Sequence, residues 1–206
     1  MTLSPLSDFD AYVLGVLLEL ELVSGTPSPL ALTALRDGCH RHDQLGVRSP
    51  DDANLDAAME TLLAHNLITT RADASAGATL YKSQITARFG FDLAQLAALS
   101  LLLRGGPQSA QELAANGQYL YPFSDPESVT ATLESLRDHP AGPFVERDDC
   151  PDSVAARYRH AFSRSEGLPA APRASTANAG APTEISDDLE HKLGELDRII
   201  RDLVPK

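Results

Sequence analysis

Hydrophobic positions along the first half of the chain change from helical to extended spacing. Ser7 caps a helix predicted from Asp8 to about Leu22, with Val13, Leu14, Leu17 and Leu18 on one face. Ser28-Pro29 then offers a cap followed by proline at the first helical position. Leu30, Leu32 and Leu35 carry that second helix to Gly38. Ser49-Pro50-Asp51-Asp52 repeats the signal for a third helix to about His65, in which Leu55, Met59, Leu62 and Leu63 share a face. Leu67–Thr70 and Leu80–Ile85 flank a Gly/Ala/Ser loop at Asp73–Ala78 and read as a hairpin.

The same order returns 82 residues later, where Phe91-Asp92 stands as Phe9-Asp10 did before. Leu96, Leu99, Leu102 and Leu103 form the apolar positions of a helix, and Ser109-Ala110-Gln111-Glu112 is a capping box for a short second one. Asp125-Pro126-Glu127 opens a third, whose Val129, Leu133 and Leu136 copy the spacing of Leu55, Met59 and Leu62. Phe144–Arg147 and Arg157–Phe162 supply a second strand pair. The first repeat is longer by about eight residues between its second and third helices, within His40–Ser49. Three helices and a hairpin, twice, predict an α+β fold of two tandem winged-helix domains, 1–88 and 89–163.

Residues 164–184 are rich in Ala, Pro, Ser, Thr and Gly and predict a flexible linker. Beyond it, within 185–206, Leu189, Leu193, Leu196, Ile200 and Leu203 follow heptad spacing. They are candidates for a homodimer seam, or for an amphipathic helix that docks back on its own chain.

Several strings of the second repeat carry a family likeness. Leu101-Leu102-Leu103-Arg104-Gly105, Gln111-Glu112-Leu113, Phe123-Ser124-Asp125, Gly142-Pro143-Phe144-Val145 and Arg157–Phe162 stand in the order of the YceH-like family, a group of uncharacterised bacterial proteins that this chain resembles. The likeness extends through Pro29-Leu30, Leu62 and Tyr81-Lys82 to the terminal helix. It implies two winged-helix domains and no known catalytic residues. Where the family continues after its cysteine with Asn-Gln-Lys, this chain has His40-Arg41-His42. Where the family places arginines after Glu-Leu, this chain has Ala114, Ala115, Asn116 and Gly117.

Charge sharpens that departure. Seventeen Lys and Arg oppose 29 Asp and Glu, for a net charge of −12. The excess lies in both repeats: six basic against eleven acidic residues over 1–88, and five against ten over 89–163. Such a balance opposes coating of nucleic acid or of anionic membranes. In a DNA-reading winged helix the third helix enters the major groove. Here the third helices carry Asp51, Asp52, Asp56 and Glu60, then Asp125, Glu127 and Glu134.

The candidates for contact with double-stranded DNA are therefore Arg36, Arg41 and Arg48 around the enlarged turn, Arg71 and Lys82 on the first hairpin, and Arg157 and Arg159 on the second. Arg157 and Arg159 also suit cross-strand pairing with Glu146 or Asp148, and that structural role is the favoured one. Fold and family habit favour a dimeric DNA-binding regulatory protein using these residues; the alternative, favoured by the charges, is a scaffold whose acidic third helices and Leu seam engage a protein partner.

Cys39-His40-x-His42 has metal-ligand residue types, but adjacent ligands on one turn do not close a tetrahedral site, and no second cluster exists. Cys39 is expected to be a buried hydrophobe and the histidines exposed. Tyr119–Phe123 is expected to pack on the second core rather than stack on bases. No phosphate loop, nucleophile elbow or metal motif occurs, so neither enzyme activity nor a cofactor is expected. Cys39 and Cys150 are the only cysteines, too far apart for a disulfide framework. With no signal peptide and no membrane span, a cytoplasmic protein is expected.

Overall fold

Two matching capping boxes start the two repeats. Ser7 Oγ accepts from the backbone N–H of Asp10, whose side chain returns to the Ser7 N–H, and α1 runs Asp8–Val23. Asp92 and Gln95 make the same reciprocal pair before α5, Leu93–Gly105. In this computed structural model the described residues are 5–25, 29–42, 52–73, 77–148 and 156–162. All of them belong to one compact unit, Met1–Glu166.

Between α1 and α5 lie β1 (Leu30–Ala31), α2 (Leu32–His42), α3 (Asp52–Ala64), β2 (Ile68–Asp73), β3 (Ala78–Ser83) and α4 (Ile85–Phe89). After α5 come β4 (Gln108–Ser109), α6 (Ala110–Gly117), α7 (Pro126–Arg137), β5 (Val145–Asp148) and β6 (Arg157–His160). The described residues thus form a mixed α+β fold with seven helices and two small antiparallel sheets, ordered β1-β3-β2 and β4-β6-β5. The repeat read from the hydrophobic pattern is present in the element order.

Three local expectations are corrected. Pro29 does not open the second helix: Leu30 and Ala31 pair with Tyr81 and Leu80 as a strand, and α2 begins at Leu32. The edge of β3 offers unpaired backbone groups that this short segment satisfies, and proline's fixed φ suits an extended entry as well as a helical one. Gly38 lies within α2 rather than at its end, because α2 crosses α1 there. A Cβ at Gly38 would stand 2.8 Å from Val16 Cγ1. Finally, Ile85 leaves the strand and starts α4, which ends at Gly90 in a left-handed cap with φ of 74°.

The core explains why α1 and α5 show weak sidedness. Every residue from Ala11 to Glu19 is buried, and so is every residue from Leu96 to Leu103. A helix apolar all round is one covered on all sides. Each of these two packs on its own repeat with one face and on the other helix with the opposite face. At the crossing, Ser100 Oγ donates to the Gly15 carbonyl at 2.9 Å, and a Cβ on Gly15 would meet Leu103 Cβ at 2.8 Å. The Leu6 N–H donates to the Phe162 carbonyl, tying the start of the first repeat to the end of the second. Around Phe144, the rings of Phe89, Phe91, His139 and Phe162 complete the second core at centroid distances of 4.7 to 5.8 Å.

Candidate functional site

The close approach at Gly15 brings the last turns of α1 and α5 side by side, and two charges meet there. Glu19 projects from α1 and Arg104 from α5, with Arg104 Nε 3.0 Å from Glu19 Oε2. His42, at the end of α2, places Nε2 2.8 Å from the same oxygen. Both contacts lie off the ideal hydrogen-bond direction, so charge more than alignment holds them. Tyr119, just after α6, donates its hydroxyl to Glu19 Oε1 at 2.8 Å and accepts from Arg104 Nη2 at 2.6 Å. Arg104 Nη1 stands 2.6 Å from His42 Nδ1. Four side chains from four elements and both repeats therefore close one network.

Burial gives the network its character. The Glu19 side chain is 7% exposed and Arg104 15%, so each charge needs the other. Burial and the hydrogen bond to Glu19 push the Tyr119 phenol up to about 12. It is therefore no acid near neutrality. Burial and then the Arg104 charge hold the His42 imidazole below its ordinary value, which favours the neutral ring. A cleft of about 490 Å³ opens beside the network, with Gln108 and Asn116 on its second-repeat wall. The Gln108 amide is spent internally, donating to the Leu101 carbonyl and accepting from Asn116.

Sequence reasoning missed this site. His42 was expected on an exposed turn, but it is partly covered and turned toward Glu19. Tyr119 was expected to anchor its own repeat, whereas its hydroxyl reaches across to the other and its ring stays 55% exposed. Phe123 supplies the buried anchor of that turn, with Tyr121 at 5.0 Å. The available signal was a carboxylate and a guanidinium at the ends of the apolar runs of α1 and α5, where an unpaired charge does not persist.

The predicted contact residues do not gather into one surface. Arg36 is half-buried on α2, Arg41 is exposed near its end, and Arg48 lies outside the described residues. On the first hairpin, Arg71 is exposed on β2 and Lys82 lies opposite Thr69 on β3. On the second, Arg159 pairs with its cross-strand neighbour Glu146 at 2.7 Å. Arg157 reaches Glu112 at 3.2 Å and the Pro107 carbonyl at 2.6 Å. The seam candidates Leu189, Leu193, Leu196, Ile200 and Leu203 lie outside the described residues.

Cys39 is fully buried, and burial pushes its thiol up to about 12. Successive residues on the last turn of α2 point apart, so Cys39, exposed His40 and His42 do not converge. Among the described residues no group of three or more His, Cys, Asp or Glu side chains is placed to hold a metal ion.

Residues 6–152 match the model of a family described as proteins of unknown function, DUF480. The chain belongs to the DUF480 family. Similar chains carry the label UPF0502. One from Azoarcus sp. is 30% identical over 190 residues, covering 89% of this chain and 83% of its own. One from Chromobacterium violaceum is 33% identical over 157 residues, covering 73% and 69%. One from Photobacterium profundum is 29% identical over 222 residues, covering 96% and 97%. The YceH-like resemblance read from the second repeat agrees with this DUF480 membership. The family description and these relatives' labels specify no activity. Among the described residues, no helix is long and apolar enough to cross a membrane.

Proposed function

We propose that this DUF480 chain is a non-enzymatic, cytoplasmic tandem winged-helix protein that binds a protein partner through its third helices. The twice-met order of helix, short strand, two helices and hairpin supports the winged-helix reading, with domains at 1–88 and 89–163. One observation carries the choice of partner. The exposed positions of α3 include Asp56 and Glu60, and those of α7 include Glu127 and Glu134. The described part of α3 has no Lys or Arg, and Arg137 of α7 is held by Asp138 at 2.9 Å. A helix of that charge repels phosphate and suits a basic protein surface.

Arg71, exposed on the first hairpin, and Arg41, exposed on α2, favour a second reading as a DNA-binding regulator working through its wing and enlarged turn. Titration of labelled duplex DNA at low and at moderate salt separates the two. No binding at either is expected. Binding with a steep salt slope that flattens in an Arg36→Ala, Arg41→Ala, Arg48→Ala variant would replace the first reading by the second.

A further inference from the structure

The network at the seam contains one group whose charge changes near neutral pH, and the geometry fixes where its protons sit. Arginine has donors and no acceptor. Arg104 Nη1 stands 2.6 Å from His42 Nδ1 and 3.5 Å from Nε2, so the guanidinium lies over the imidazole face and its N–H group meets a neutral ring. Nε2, 2.8 Å from a carboxylate oxygen of Glu19, carries the ring proton. We propose that His42 is a proton-operated latch between the two repeats, closed while the ring against Arg104 is neutral and released when it is protonated. A second ring proton would set an imidazolium against the guanidinium, with Nδ1 2.6 Å from Arg104 Nη1. The contact that joins α2 of the first repeat to α5 of the second would be lost.

The charged and titratable groups around the ring come from each packed element. Glu19 on α1 favours the imidazolium. Arg104 on α5 and Arg41 on α2 oppose it, and the Tyr119 phenol stays neutral. Burial, the largest influence, also opposes it, and the net direction is downward from the ordinary 6.5. A group that binds its proton less readily folded than unfolded lends stability that is complete above the unfolded value. That stability declines as pH falls through the unfolded value and is gone below the folded one. The latch thus loosens on mild acidification. This inference is independent of the partner bound by the third helices.

Nuclear magnetic resonance titration of the full chain tests it, with the His42 ring identified by through-bond assignment among the six histidines. His42 is expected to titrate below the ordinary histidine value while the Arg104 and Tyr119 side-chain signals move with it. Titration at or above that value, or unmoved signals of Arg104 and Tyr119, would overturn the proposal. Urea unfolding at about pH 7.5 and about pH 5.5 gives a second readout. The His42→Gln amide can donate toward Glu19 and accept from Arg104 without titrating. The wild type is expected to lose more stability on acidification than this variant, and equal losses would refute the latch. Should His42→Gln not fold, the wild-type titration decides alone.

Discussion

The first helix of each repeat does the same packing job with opposite charge. α1 and α5 begin with matching capping boxes, bury Ala11–Glu19 and Leu96–Leu103, and cross at Gly15. Near their ends α1 carries Glu19 and Glu21, while α5 carries Arg104. Counted from their caps, Ser7 and Asp92, Glu19 and Arg104 hold the same position, so equivalent places in the two repeats carry opposite charges. The two repeats share a fold plan, but each supplies half of one ion pair. They are complementary rather than interchangeable.

Breaking that complementarity has the largest expected effect. Arg104→Ala leaves Glu19 buried without its cation and should destabilise the protein by about 3 kcal/mol in urea unfolding. The double variant Glu19→Leu, Arg104→Leu removes both charges and should lose much less. If the single variant costs no more than the double, the pair is not what joins the repeats. A smaller effect is expected at the crossing point. Alanine favours a helix over glycine by about 1 kcal/mol, but Gly15→Ala sets a methyl against Leu103 Cβ and should cost about 1–3 kcal/mol. A rise in Tm would show that the two helices can separate without penalty.

The smallest effect tests what the repeats share. Ser7→Ala and Asp92→Ala each delete one capping acceptor and should each cost about 1 kcal/mol. Asp92 should lose slightly more, because its charge also faces the helix dipole. A large disparity would mean that the two starts are not equivalent.

Much of this fold is legible in the residues. Ser7, Ser109 and Asp125 are local signals that act on the next three residues, and all three cap the helices expected of them, while Asp92, aligned with Asp10 inside α1, proves to be the cap of α5. Elements of two residues are not legible in that way. β1 and β4 exist because β3 and β6 lie beside them, and nothing in Leu30-Ala31 alone prefers a strand. The candidate site was illegible for a related reason. Glu19, His42, Arg104 and Tyr119 are up to 100 residues apart, and no spacing rule links them. Cys39 was legible as a core residue, while His42, three residues later, was not.

By itself the sequence determined the repeat, the starts of α1, α6 and α7, the hairpins and the acidic balance of both halves, because each follows from short-range periodicity, capping or counting. Only the tertiary structure decided that α1 and α5 bury each other and that a carboxylate of one repeat meets a guanidinium of the other. It also decided that a histidine of the first repeat lies against both of them. Those outcomes depend on which helix faces meet across the seam, and the meeting is set by close packing at Gly15 rather than by any local pattern.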